Sequence, residues 1–403
     1  MAACTALGIL GVLSSKAVYA GLSDPTVVLF AGMFVIGAAM FHTGLAQAIG
    51  EYVVNKAGTK ESRLMFCLMA VTVVLSAVSS NTGTVACLMP VVIGICAAAK
   101  IPASRQLIPL AMAANVGGMI TMIGTPPNVI ITGALKTAGL PSFSFFEFAW
   151  IGVPLSIATI IYALTIGKHL LPNRMEAGNA DDEAVKAAAE EAGAGHAPKS
   201  KSKMIISGVI MLSVVGFMYA DLPTIPLQTA AVAGAILCVI TGCLSEKQAY
   251  AGIDWVTIFL FAGMLAVAGA MDKTGAGKMI ADVVISAMGS APNPYVVTAV
   301  MFLISVTLTN FMSNTASCAL LTPIGISIAQ AIGADPRPIV MALGIAASAA
   351  FCTPMATPPN TLVLGPGKYS FNDYVKFGFP LSIIALVICC IIIPTVWPFF
   401  PAA

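Results

Sequence analysis

Ser80-Asn81-Thr82, followed by Thr125-Pro126-Pro127-Asn128, returns later in the chain as Ser313-Asn314-Thr315 followed by Thr357-Pro358-Pro359-Asn360. The copies stand 233 and 232 residues apart inside an otherwise apolar sequence, so they mark two structural repeats. Hydroxyl and amide groups placed in hydrocarbon are costly unless they meet a polar partner. Hydrogen bonding between helices explains isolated Ser and Thr in apolar spans. It is a poor account of two tripeptides that each precede the same tetrapeptide by 44 or 45 residues. The paired prolines remove backbone donors and push Thr125 and Thr357 out of helical geometry, so a broken helix is predicted at each. A break exposes carbonyls on one half, which suit a cation, and the positive end of the next half-helix, which suits an anion. Ser76 and Thr309, one turn ahead of the tripeptides, share a helix face with Ser80 and Ser313; they read equally well as cation ligands and as satisfied core hydroxyls.

The composition points to a membrane setting. Of the 403 residues, 58% are hydrophobic and 9% charged, and mean hydropathy is +0.95; water-soluble domains carry about 25% charged residues. Apolar runs reach or approach the roughly 20 residues that cross about 30 Å of hydrocarbon. They fall at 4–20, 25–41, 64–79 returning as 83–98, 104–123, 147–167, 204–220, 227–243, 255–271, 296–312 returning as 316–332, 338–355 and 377–397. The alternating short strands of a β-barrel are absent. The expected fold is all-α: a polytopic membrane protein of inverted structural repeats, with two re-entrant helical hairpins and two broken helices. Residues 1–170 are the first repeat, with hairpin 64–98 and broken helix 104–138. Residues 171–203, acidic at Asp181-Asp182-Glu183 and Glu190-Glu191 and basic at Lys199, Lys201 and Lys203, are a cytoplasmic linker. Residues 204–403 are the second repeat, with hairpin 296–332 and broken helix 338–365.

The repeat extends beyond the polar phrases. Phe30-Ala31-Gly32-Met33 and Thr43-Gly44 recur as Phe261-Ala262-Gly263-Met264 and Thr274-Gly275. Five of the expected crossings separate Phe30 from Phe261, and an odd number inverts the second copy, so the hairpin tips approach the bilayer middle from opposite sides. With the first span starting in the cytoplasm and each hairpin returning to its own side, fourteen Lys and Arg fall in cytoplasmic loops. Five remain outside, at Lys16, Lys136, Lys273, Lys278 and Arg337, as the positive-inside bias requires. Residues 4–20 lack a basic leader and a cleavage site and read as the first span.

No Asp, Glu, Lys or Arg lies well inside an expected span. That argues against a buried carboxylate proton relay and for a neutral-oxygen site suited to Na⁺. A substrate anion would be offset by bound cations, amides and helix termini, which makes cation and anion binding mutually dependent. The ten cysteines form no C-x-x-C pair and read as small buried hydrophobes, and His42, His169 and His196 fall at span ends or in the linker. Gly117-Gly118 and Gly124, ahead of the first break, suit close packing or unwinding and lack the context of a nucleotide loop. Without a nucleophile–base pair, metal-ligand spacing or a basic–aromatic patch, neither an enzyme nor a nucleic-acid partner has support.

The paired tips and breaks resemble the divalent anion/sodium symporter family over nearly the whole chain. The resemblance implies an inverted-repeat transporter with a scaffold domain that forms a homodimer and a transport domain that moves like an elevator. It implies that Ser80, Asn81 and Thr82, with Ser313, Asn314 and Thr315, hold substrate carboxylates, and that Thr357 and Pro358 line the pocket. The implied ligands of two or more Na⁺ ions are Ser76, Ser80, Asn81 and Gly124 in the first repeat and Thr309, Asn314 and Ala356 in the second. Members ordinarily carry two further spans ahead of residues 4–20, and the span at 204–220 has no counterpart in the first repeat. The function expected is Na⁺-coupled uptake of a small divalent anion across the cytoplasmic membrane, foremost a C4-dicarboxylate such as succinate, malate or fumarate. Na⁺-independent dicarboxylate exchange and sodium–sulfate symport are the near alternatives. An anion channel or a non-transporting membrane scaffold is more remote, since discontinuous hairpins suit a site that alternates.

Overall fold

A capping side chain followed by proline opens three of the long helices. Asp24 Oδ1 accepts from Thr26 N at 2.8 Å around Pro25, Asn293 Oδ1 from Tyr295 N at 2.9 Å around Pro294, and Asp335 Oδ1 from Arg337 N at 2.9 Å around Pro336. Each cap satisfies a first-turn N–H, and the proline adds no orphan donor. The computed structural model describes residues 1–57, 60–174, 200–220, 225–277, 279, 282 and 293–400, and every regular element among them is a helix. The first half holds α1 Ala2–Ile9, α2 Ser15–Tyr19, α3 Pro25–His42, α4 Leu45–Ala57, α5 Glu61–Val78, α6 Asn81–Ala99, α7 Leu107–Gly118, α8 Pro126–Thr137 and α9 Ala149–Leu170, the last with a π turn at Ala163–Gly167. The second holds α10 Lys201–Ala220, α11 Leu227–Ile240, α12 Glu246–Ala251, α13 Trp255–Thr274, α14 Pro294–Thr309, α15 Asn314–Ala331, α16 Pro336–Ser348, α17 Pro358–Leu364 and α18 Phe371–Val396. Among the described residues, six segments are long and apolar enough to cross a bilayer. Those at α9 and α18 expose Ile157, Ile161, Ile383, Val387 and Ile391, a face that lipid satisfies and water does not. The chain is a polytopic helical membrane protein.

The two breaks sit at the centre. Every residue of α7 is buried, and every residue of α16 except Arg337. Helices α5 and α6 pack on α7, and α14 and α15 on α16. Beyond the breaks the repeats interlock, with α8 against α15 and α16, and α17 against α6 and α7. A second group packs beside them: α3, α10 and α11 on one another, and α13 on the N-terminal elements. Tyr369, between α17 and α18, fastens the start of α7 by donating to Ser104 O at 2.6 Å and accepting from Ile108 N at 3.1 Å. Burial pushes its hydroxyl well above the usual tyrosine range, so it remains a donor.

Residues 4–20 do not form the single span their hydropathy predicts. Gly11 takes φ +73°, and Ser14 caps α2 by accepting from Ala17 N at 3.3 Å, so a left-handed glycine and a fresh cap end one helix and start another. The Ser-Asn-Thr tripeptides are not the loops of their hairpins either. Ser80 and Ser313 are N-caps, and Asn81-Thr82 and Asn314-Thr315 already form the first turns of α6 and α15. Residues 338–355 stop being helical at Ser348. Beyond it Asn310 Oδ1 accepts from Cys352 N at 3.2 Å and Pro354 withholds a donor, so 349–357 run unwound. Helix α4, missing from the expected spans, is amphipathic, with Gln47 donating to Glu51 at 2.8 Å and Lys56 to Tyr52 at 2.6 Å along its polar face. Of the expected linker at 171–203, residues 175–199 lie outside the described residues, and α10 already begins at Lys201.

Candidate functional site

Each repeat builds its half of the site from the same parts. Serine takes the N-cap of the returning hairpin helix because its short hydroxyl reaches back to the first turn: Ser80 Oγ accepts from Gly83 N at 3.4 Å, and Ser313 Oγ from Ala316 N at 3.2 Å. One turn earlier, Ser76 Oγ donates to the Ala114 carbonyl at 2.8 Å and Thr309 Oγ1 to the Ala347 carbonyl at 2.9 Å, both across 38 residues of sequence. Each hydroxyl thus ties a hairpin to the helix that breaks. Thr125 (φ −141°, ψ 142°) and Thr357 (φ −135°, ψ 143°) are extended, as a residue before proline must be, and they open α8 and α17. The asparagines that end the motif hold the unwound backbone. Asn128 Nδ2 donates to Thr121 O at 2.8 Å and Gly118 O at 3.4 Å, and Asn360 Nδ2 to Thr353 O at 2.9 Å and Ala350 O at 3.0 Å.

In the first repeat, three of the four expected cation ligands, Ser76, Asn81 and Gly124, come together, while Ser80 Oγ turns to the Gly83 amide. The Asn81 amide lies 2.6 Å from Ser76 Oγ, 3.2 Å from Ala114 O and 3.0 Å from Gly124 O. With nitrogen toward them, the amide shares its two hydrogens among the three oxygens; the Asn81 amide, the Ser76 hydroxyl and the Ala114 and Gly124 carbonyls carry neutral oxygens of the kind a hard cation takes. Gly118 and Gly124 make this possible. A Cβ on Gly118 would strike the Asn81 amide, and one on Gly117 would come within 2.6 Å of the Val73 carbonyl.

The second repeat is arranged differently. Asn314 Oδ1 accepts from its neighbour Thr315, from N at 2.8 Å and Oγ1 at 3.2 Å, and does not meet Thr309. Ala356 and Thr357 are buried, while Ser313 and Pro358 are exposed. Ser80, Asn81 and Thr82 are half-buried. No hydrogen bond joins residues 80–82 to 313–315 among the described residues; the tips are linked through the broken helices. No charged side chain enters these contacts, and no cluster of three or more His, Cys, Asp or Glu among the described residues is placed to hold a metal.

Several residues that complete the site carry no motif. Asn115 Nδ2 crosses between repeats to Asn360 Oδ1 at 3.0 Å and Thr357 Oγ1 at 3.3 Å. Ser348 Oγ crosses the other way to Thr125 Oγ1 at 3.4 Å. Asn310 donates to Val306 O at 2.6 Å, and its own carbonyl accepts from Thr353 Oγ1 at 2.9 Å. The only hint in the sequence was an amide standing alone in an apolar run, as Asn115 does in Ala-Ala-Asn-Val-Gly-Gly.

Comparison with known proteins places the chain in a family. The chain is 30% identical to an uncharacterised transporter of Haemophilus influenzae, covering 94% of this chain and 82% of that protein. It is 25% identical to the uncharacterised transporter YfbS of Escherichia coli over 98% and 94%, and 24% identical to the sodium-dependent dicarboxylate transporter SdcS of Staphylococcus saprophyticus over 95% and 78%. Among solved structures, the YdaH transporter of Alcanivorax borkumensis superposes with a TM-score of 0.68 at 15% identity, covering 96% of this chain and 89% of that one. MtrF of Neisseria gonorrhoeae superposes at 0.67 and 16% identity, covering 98% and 86%. At such identities these two likenesses speak for the fold alone. The citrate transporter family model matches residues 1–336 and 311–401, and with the paired tips and breaks in place the chain belongs to that family: it is a membrane transporter of divalent anion/sodium symporter type and not an enzyme.

Proposed function

We propose that this chain takes up a small dianion, foremost a C4-dicarboxylate such as succinate, malate or fumarate, together with Na⁺ across the cytoplasmic membrane. One observation carries the reading: the Asn81 amide among Ser76 Oγ, Ala114 O and Gly124 O, with no charged side chain in these contacts. A dianion entering such a pocket needs its charge offset, and oxygen-lined cation sites at the helix breaks supply the offset. Two or more Na⁺ ions travel with it. Each net positive charge moved inward gains about 2.3 kcal/mol per 100 mV of membrane potential. Ser80, Asn81, Thr82, Ser313, Asn314, Thr315, Thr357 and Pro358 bind the anion. Ser76, Ser80, Asn81 and Gly124 take one cation, and Thr309, Asn314 and Ala356 another. The name of SdcS, a sodium-dependent dicarboxylate transporter, supports the same substrate and ion.

The packing of hairpins and broken helices among themselves, beside the group of α3, α10 and α11, supports an elevator in which the first body slides along the second; a homodimer joined at the scaffold is part of the same reading. Uptake of labelled succinate into proteoliposomes, with and without an inward Na⁺ gradient, tests the coupling. A gradient-dependent rate is expected, and equal rates would defeat it. Asn81→Ala and Asn314→Ala should each abolish transport in a protein that still folds; normal transport by either removes the site assignment. Na⁺-independent exchange is the second reading, supported by Asn314 turning to Thr315 while Thr309 bonds the Ala347 carbonyl, so that the two do not meet. Internal dicarboxylate stimulating uptake without Na⁺ would favour it.

A further inference from the structure

The two broken helices are not equivalent where they cross. Asn360 spends its Nδ2 on the Ala350 and Thr353 carbonyls, so its Oδ1 faces outward as an acceptor. That fixes the Asn115 amide, which must present nitrogen to reach it at 3.0 Å. The same nitrogen lies 3.3 Å from Thr357 Oγ1. Thr357 therefore accepts from Asn115, and its own hydroxyl hydrogen is left for another acceptor. The Thr357 oxygen accepts no capping bond from the first turn of α17.

The reciprocal position lacks this device. Ser348 stands in the second repeat where Asn115 stands in the first, each one residue beyond the carbonyl that Ser76 or Thr309 binds. It meets Thr125 Oγ1 at 3.4 Å, with either oxygen able to donate. Asn128 Oδ1, the counterpart of Asn360 Oδ1, is buried without a hydrogen-bond partner. The break of the first repeat thus forms without a cross-repeat amide.

We propose that Asn115 is a positioning residue for anion specificity, acting through Thr357: it occupies the acceptor side of that hydroxyl so that the O–H is offered to the substrate. This rests on the reading of Thr357 as a substrate contact. A hydroxyl of undetermined sense can turn its lone pairs toward an anion and repel it; one held by an N–H donor presents its hydrogen.

The test is the concentration dependence of labelled succinate uptake by reconstituted protein at saturating Na⁺. Asn115→Ala and Asn115→Ser should raise KM about tenfold, the effect of one hydrogen bond to a charged group. Vmax and the Na⁺ half-saturation should stay within about twofold, which a merely structural loss would not leave alone. Serine is the milder change, since the fold already tolerates it at position 348. In a Thr357→Val background, removing the Asn115 amide should have no further effect on KM, because its target is gone. An unchanged KM in both Asn115 variants, a loss confined to Vmax, or a full additional KM effect in the Thr357→Val background overturns the proposal. The separate outcome that Thr357→Val leaves KM at the wild-type value overturns the substrate-site reading, and this proposal with it. A raised KM in Thr357→Val with none in the Asn115 variants overturns this proposal alone.

Discussion

Replacing Asn360 with alanine should destabilise the protein more than replacing Asn128, although both are fully buried and end the same motif. Asn360 makes three hydrogen bonds: it accepts from Asn115 at 3.0 Å and donates to Thr353 O at 2.9 Å and Ala350 O at 3.0 Å. Alanine strands one amide donor and two carbonyls. A buried polar group left without its partner costs about 1–3 kcal/mol, so the change amounts to roughly 3–6 kcal/mol once shared partners are discounted. Asn128 donates to Thr121 O at 2.8 Å and, over a long 3.4 Å, to Gly118 O, and its oxygen bonds nothing. Its removal strands little more than one carbonyl and also takes away an orphan acceptor, for a net cost of about 1–3 kcal/mol. The difference, roughly 2 kcal/mol or more, corresponds to about 2 °C or more in melting temperature for a chain of this length. Thermal unfolding should be followed at one scan rate in one detergent, in K⁺ and without anion, so that neither kinetics nor ligand contributes. An equal or larger fall for Asn128→Ala would refute the account of how the breaks are held.

Three other substitutions probe separate parts of the structure. Ser76→Ala removes one of the oxygens around the Asn81 amide and should raise the Na⁺ concentration for half-maximal uptake about tenfold; an unshifted Na⁺ curve counts against the cation set. Gly118→Ala drives a methyl into the Asn81 amide and should abolish uptake, while Gly216→Ala in α10, with open space at its Cβ, should leave it intact; uptake normalised to reconstituted protein separates the two, and an active Gly118→Ala variant would show that the close approach is dispensable. Lys100 closes α6 at φ +56° and ψ 37°, a left-handed pose that costs a side-chain-bearing residue roughly 1–2 kcal/mol. Lys100→Gly should therefore raise the melting temperature by about 1–2 °C, and no rise would mean that the lysine is compensated where it stands.

The breaks were legible because proline acts locally: Thr-Pro-Pro cannot continue a helix in any surroundings, and Thr125 and Thr357 are extended as predicted. The tips were half legible. Polarity located them, but a serine that caps a helix and a serine in a loop look alike in sequence, so the tripeptide was assigned to the turn instead of to the first turn of α6 and α15. Residues 4–20 misled because a hydropathy window averages over Gly11 and Ser14, whose backbone roles outweigh their polarity. The crossing of Asn115 to Thr357 and Asn360 was not legible at all. Those residues are more than 240 positions apart, |i−j| being 242 and 245, and they meet only because the repeats interlock.

The absence of charge from the site has a thermodynamic consequence that a binding measurement reads directly. A pocket of amides and hydroxyls gains little by taking a dianion alone, because desolvating two negative charges is not repaid by neutral donors. It gains little by taking Na⁺ alone, since the cation must leave water for a few carbonyl and hydroxyl oxygens. Bound together, each ligand supplies the charge the other lacks, so each should raise the affinity of the other by the same factor. The melting temperature should therefore rise more with succinate and Na⁺ together than the sum of the rises with succinate in K⁺ and with Na⁺ alone. A site carrying a fixed lysine or arginine would bind the anion whatever the cation, and the two shifts would add. Additive shifts here would mean that the charge is balanced by something other than the ions, and the neutral cluster of Ser76, Asn81, Ala114 and Gly124 would lose its role.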